Sequence, residues 1–192
     1  DQFIPGESTV TLDGVDQAIY GETLFYNFTK DQTGGAGEAT LTFEASQKQR
    51  VQKTLTLKGV ANAAGQYLNI RSSSPGTAAG LLLLDGGAQA IRYVDVRDND
   101  ALTADPGEDV ITLIGRDSPD HTAGFNNTNW LFNTNITVTW EGTEDTNWDN
   151  PYNWDLGLVP EAGDNVVIPA APARQPDLAS ISAAGVEVKD ID

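Results

Sequence analysis

Short runs of alternating apolar and polar residues recur along this chain, each closed by a turn signal, and that rhythm constrains the fold more than any other feature. The runs are Thr9-Val10-Thr11-Leu12, Leu24 to Thr29, Thr40-Leu41-Thr42-Phe43, Thr54-Leu55-Thr56-Leu57 and Tyr67-Leu68-Asn69-Ile70. They continue through Leu81 to Leu84, Ile91 to Val96, Val110 to Ile114, Ile136 to Trp140, Val166 to Ile168 and Val186-Glu187-Val188. Between them stand Asp13-Gly14, Gly34-Gly35, Lys58-Gly59, Pro75-Gly76, Asp85-Gly86-Gly87 and Pro106-Gly107, pairs that favour turns. A period of two puts alternate side chains on opposite faces of a strand, and no 3.6-residue apolar period competes with it. The chain therefore reads as all-β.

Runs restart about every 10 to 15 residues with no helical spacer, which fits a β-solenoid or a β-sandwich. Thr9 to Asp13, Thr40 to Glu44 and Thr54 to Lys58 resemble one another, a weak internal repeat. In a solenoid each turn of chain buries one or two inward side chains per strand. At roughly 1.5–3 kcal/mol per buried aliphatic group, one turn cannot offset its own ordering, so stacking must supply the rest. The expected fold is a right-handed parallel β-solenoid, with a sandwich or jelly-roll as the alternative.

A shift in composition near Asn126 to Asn135 divides the chain. Residues 1–134 carry the Thr/Leu/Gly ladder; residues 135–192 open on a Trp-rich stretch, Trp140 to Pro160. The second unit reads as incomplete, because Val186-Glu187-Val188 is a strand with no later strand to pair with.

Charge and composition narrow the functional classes. With 28 acidic against 11 basic residues, the net charge is -17. Phosphate backbones and anionic membranes repel such a surface, so nucleic acid is not an expected partner. The longest apolar patch is strand-sized, well short of the roughly 20 residues of a membrane helix, and no basic-then-apolar signal stretch opens the chain. Asp1 is thus expected to follow a processing or excision point. Neither cysteine nor methionine is present, which removes disulfides and thiol chemistry. A domain exported without disulfides is held by burial and ladder hydrogen bonds, a habit more common on bacterial surfaces than among animal ectodomains.

Two passages resemble large bacterial surface proteins built of right-handed parallel β-helix repeats. The first runs through Leu41-Thr42-Phe43, Leu55-Thr56-Leu57, Ile70 to Thr77, Tyr93 to Asp98 and Asn126 to Phe132. The second comprises Trp140-Glu141-Gly142, Asn147-Trp148-Asp149, Asn153-Trp154, Val159-Pro160 and Gly163 to Pro169, and is similar to the opening of a fresh unit in such chains. The resemblance implies an extracellular stalk, filament or adhesin module and no defined activity. The acidic loop Asp98 to Asp109 is longer and more charged than the pattern calls for. The function expected is structural or adhesive: head-to-tail self-association in which Val186-Glu187-Val188 completes a neighbour's sheet near Thr9, Val10, Thr11 and Leu12. Surface glycans are a second class of partner, and an enzyme is not expected.

Asp95, Asp98, Asp100, Asp105, Glu108 and Asp109 gather hard oxygen ligands around a Gly/Pro loop, the donor type Ca²⁺ takes in sets of about six to eight. A solvated acidic loop is the simpler reading of the same residues, and no cofactor is required. Asp145-Thr146-Asn147-Trp148-Asp149-Asn150 resembles the first half of a calcium loop. Asn150 replaces its glycine, however, and Leu156 replaces its bidentate glutamate. Packing by Trp148 and Trp154, with Asn and Asp satisfying turn backbone, is expected instead. The lone histidine, His121, reads as a surface-loop residue, and Ser118 lacks a nucleophile elbow.

The competing class is a carbohydrate-binding or polysaccharide-cleaving β-helix. It would use Arg92, Arg97 and Arg116 beside Asp95, Asp98 and Asp117, or a stacking face of Tyr20, Phe25, Tyr26, Phe28 and Trp130. Outward ladders of opposite charge and an aromatic solenoid end explain the same residues. Sequons at Asn27, Asn126 and Asn135 would accept glycans only in a host with the machinery.

Overall fold

The computed structural model describes residues 5–35, 37–102, 105–132 and 135–181. The chain forms two compact units, Asp1–Asn133 and Thr134–Asp192. It is all-β, and every pair of named strands runs parallel. The described residues hold no α-helix, only two three-residue 3₁₀ turns at Pro151–Asn153 and Leu178–Ser180.

The first unit places alternate strands in two ladders. One runs β1 (Thr9–Thr11), β3 (Thr23–Asp31), β5 (Lys48–Lys58), β7 (Ala79–Leu83) and β10 (Asn99–Asp100), with β8 (Ala88–Arg92) also on β5. The other runs β2 (Gln17–Ile19), β4 (Ala39–Phe43), β6 (Leu68–Ser72) and β9 (Val94–Val96). A third, two-stranded ladder joins β11 (Leu113–Gly115) to β12 (Trp130–Phe132). A sandwich or jelly-roll pairs its neighbours antiparallel, which these ladders do not do.

Register explains the core. Leu41, Ile70 and Val96 are Cα partners across β4, β6 and β9, and all three are fully buried. Val10, Phe28 and Leu55 form a second column, and Leu57 with Ile91 a third. Like stacks on like, so each side chain removes its neighbour's apolar surface from water. The strand β5 is long enough to serve two partners: Lys48 to Val51 pair with β7, and Thr54 to Lys58 with β8. A register shift between Phe25 and Asn27 keeps Phe25, Phe28, Val51 and Leu55 all facing inward.

Two corners need particular backbones. A Cβ on Gly59 would overlap the carbonyl oxygen of Tyr93 and the amide of Leu68, so adjacent turns touch where only glycine fits. Tyr93, with φ of 57°, breaks the expected run Ile91 to Val96 into β8 and β9. At the β12 end, asparagines tie adjacent turns together, Asn99 fully buried and Asn127 and Asn129 half-buried. Asn99 Nδ2 donates to Ala79 O at 3.0 Å, and its Oδ1 accepts from Trp130 Nε1 at 2.9 Å. Asn127 Nδ2 donates to Val96 O, and Asn129 Nδ2 to Ala101 O and Ile111 O.

Among the described residues of the second unit, β13 (Thr137–Thr139) pairs in parallel with β14 (Asn165–Val167). Its interior is built from indoles: Trp148 and Trp154 meet edge to face at 4.8 Å, and Trp140 and Trp154 at 5.0 Å.

Candidate functional sites: an open strand edge and a polar face

β1 and β2 end their ladders, each paired on one side only among the described residues. Along β1, Ser8 O accepts from Asn27 N and Leu12 N donates to Thr29 O, so the even positions face β3. Parallel pairing alternates, and Thr9 and Thr11 therefore turn their N–H and C=O groups away from it. On β2, Ile19 O accepts from Glu44 N, which leaves Ala18 as the outward residue. Of the strands expected to assemble, Thr9, Val10, Thr11 and Leu12 lie on this edge, whereas Val186, Glu187 and Val188 lie outside the described residues.

The turn joining β1 to β2 is anchored by a side chain that sequence reasoning missed. Lys30 is fully buried at an inward position of β3, two residues after Phe28. Its Nζ donates to Gly14 O and, at 2.8 Å, to Gln17 Oε1. Gln32 Nε2 reaches the same Gly14 carbonyl. Burial lowers the Lys30 pKa, and Asp16 and Asp13 oppose that shift. The signal was available: the alternation that turns Phe28 inward gives Lys30 the same parity.

The six expected calcium ligands do not converge, and among the described residues no three His, Cys, Asp or Glu side chains stand together as a metal site. Asp105 accepts from Lys48 Nζ at 2.9 Å and Arg50 Nη1 at 2.6 Å, and the Lys48 hydrogen bond holds its carboxyl below the usual range. Glu108 pairs with Arg50 at 3.3 Å. Asp98 accepts from Gly76 N and Asn126 Nδ2, and Asp100 Oδ1 from Leu102 N. Asp109 is exposed, and its backbone carbonyl accepts from Asp85 N. Asp95 belongs to another group, Arg71 at 2.8 Å and Arg97 at 3.2 Å. Cations thus reach Asp95, Asp105 and Glu108, while Asp98 and Asp100 are held by amide donors.

His121 corrects the surface-loop expectation, being only 8% exposed. Its ring stacks on Phe125 at 3.9 Å, and Nδ1 lies 3.2 Å from Val96 O and 3.5 Å from Asp95 Oδ1. Ring stacking, the Nδ1 contact to Val96 O and the Asn127 Nδ2 bond to His121 O together hold this loop inward. Ser118 is structural: its Oγ accepts from Val94 N and donates to Arg116 O.

The imagined aromatic face is also corrected. Phe25, Phe28 and Trp130 are buried in the core, while Tyr20 alone of the five is fully exposed, at 70%. Arg92 pairs with Asp117 across neighbouring turns of chain, an outward ladder contact.

In the second unit the Asp145 loop holds itself together. Asp145 accepts from Asn147 N, Asn150 Nδ2 and Asn153 Nδ2, and the two amide side chains pull its pKa down. Asn153, fully buried, returns the favour by accepting from Glu144 N and Asp145 N. Carboxylate oxygens are thus spent on backbone and amide donors.

The outer face of β2 and β4 carries an open depression with a mixed polar and apolar lining. It measures about 380 Å³ and is lined by Asp16, Gln17, Ala18, Thr40 and Thr42. No family model, no curated protein and no solved structure matches this chain.

Proposed function

We propose that this chain is a structural, adhesive-type module of an extracellular bacterial surface filament, stalk or sheath, and not an enzyme. Its first unit is read as a right-handed parallel β-solenoid, because the chain alternates between two ladders and each return adds a parallel strand in register. The observation that carries the assembly reading is the open edge of β1 and β2, whose outward backbone groups lack a strand partner among the described residues. Such edges recruit strands. The strand offered is Val186-Glu187-Val188 of a neighbouring copy, and Ser8 to Leu12 is where it docks.

The acidic outer surface keeps an exported protein dispersed, and is where Ca²⁺ would act. The test is electron microscopy and light scattering of the purified chain over a concentration series, with and without Ca²⁺. Filaments or concentration-dependent oligomers are expected. Thr11→Pro removes one outward N–H without touching a β1–β3 hydrogen bond, and should leave monomers of unchanged melting temperature. Monomers of the wild-type chain at every concentration, with Val186 to Val188 paired internally, would sink the reading.

A further inference from the structure

We propose that the outer face of β2 and β4 is a binding site for a neutral, hydroxyl-rich saccharide. The argument is independent of self-association, since a face and an edge of the same strands are used.

The floor is made of small side chains. Ala18, Thr40 and Thr42 point outward from two adjacent strands while Leu41 and Phe43 point into the core. Neighbouring strands lie about 4.8 Å apart, and alternate residues along one strand about 6.6 Å, so these groups form a grid on the scale of one pyranose ring. The volume of 380 Å³ is at the small end of ligand sites.

Its polar groups are fixed. Asp16 Oδ1 accepts from Thr40 N at 2.9 Å, which locks the carboxylate and leaves the second oxygen as an acceptor. The Thr40 and Thr42 hydroxyls each donate and accept. Gln17 is tethered from inside by Lys30, so the strand carrying the site is held by a buried ammonium rather than by the ligand. Two residues beyond Ala18, outside the lining of the depression itself, stands Tyr20, 70% exposed, whose ring offers a stacking surface beside it.

The chemistry selects the ligand. A carboxylate beside paired hydroxyls hydrogen-bonds vicinal sugar hydroxyls, and a ring stacks on apolar C–H faces. Phosphates, uronic acids and nucleic acid are disfavoured by Asp16 and by the overall charge of -17. The lining mixes polar and apolar groups, which suits a ring that carries both hydroxyls and C–H faces.

The experiment is a screen of neutral hexose oligosaccharides, with uronic-acid oligosaccharides of the same length as controls, followed by titration calorimetry of any that bind. Binding of a neutral oligosaccharide is expected. Asp16→Asn, Thr42→Val and Tyr20→Ala should each weaken it about tenfold, the loss typical of one good hydrogen bond or stack, at unchanged melting temperature. Asp16→Asn keeps the acceptor for Thr40 N, so it tests recognition rather than folding. The assembly-deficient Thr11→Pro chain should bind normally, which separates failure of this site from failure of the edge. The proposal is overturned if no neutral oligosaccharide binds, if the acidic controls bind better, or if binding survives all three substitutions.

Discussion

The two units solve the problem of a disulfide-free interior in opposite ways. The first spreads its burial along columns such as Leu41–Ile70–Val96, in which each aliphatic group is covered by partners on adjacent strands. The second concentrates its burial in three indoles and ties its loop to one residue, Asn153. A column loses one contact layer when a member is shortened. A cluster loses its shape. Redundancy, not hydrophobicity, is what separates them.

The largest effect that could break this comparison is Trp154→Ala. It removes both edge-to-face contacts and the Nε1 bond to Trp148 O, and should cost about 3–5 kcal/mol, enough to unfold the second unit. Hydrogen exchange read unit by unit should show protection lost after Thr134 and kept before it. Equal loss in both would mean that the two interiors are not separate cooperative bodies.

A middle-sized test lies at the polar end of the first unit. Asn99→Leu should cost about 1–3 kcal/mol, because Trp130 Nε1 and Ala79 O are left without that partner inside the protein. If urea denaturation instead shows no change, Asn99 is a filler, and the first unit is as tolerant there as in its aliphatic columns.

The smallest expected effect is in acid. The Asp145 carboxyl sits below its ordinary value of 3.8, held by amide donors. A depressed pKa contributes stability that is present above the unfolded value and lost as pH falls through the folded one. Melting of the second unit should therefore weaken as pH drops below about 4, and Asp145→Asn should flatten that dependence. Asp105 carries the same sign in the first unit, where Lys48 holds it down, so both units soften in acid but at different carboxylates. Unchanged melting between pH 5 and pH 3 would contradict both assignments.

Much of the strand pattern was legible, and its failures have physical causes. Thr40 to Phe43 and Tyr67 to Ile70 fall on β4 and β6 because an inward face is apolar, and Leu81 to Leu84 on β7, an apolar strand buried throughout. The first half of β5, Lys48 to Lys53, was invisible: its outward Lys48 and Arg50 balance acids from a distant loop, and charge hides alternation. β2 escaped because Gln17 and Ala18 carry no strand-like apolar signal, yet this strand borders both the open edge and the saccharide face. At the Asp145 loop, Asn and Asp satisfy turn backbone and Trp148 packs on Trp154, as the residue types suggested.

The acidic group Asp95 to Asp109 shows the limit from the other side. Proximity in sequence placed six carboxylates together, while pairing sent Asp95 to Arg71, Asp105 to Lys48 and Asp98 to Asn126. His121 likewise looked exposed in a run of Ser, Pro and Asp, whereas Phe125 and the Val96 carbonyl, both outside that run, hold it inward.

By itself the sequence determined that this protein is all-β, divided near residue 134, acidic, and without thiol chemistry, because alternation, turn residues and charge act locally or in sum. Only the tertiary structure decided that the strands pair in parallel, that Lys30 is buried and that the acids are parted. Those outcomes depend on which strands become neighbours, and partners 17 to 34 residues apart are chosen by the summed fit of whole ladders, which no local window contains.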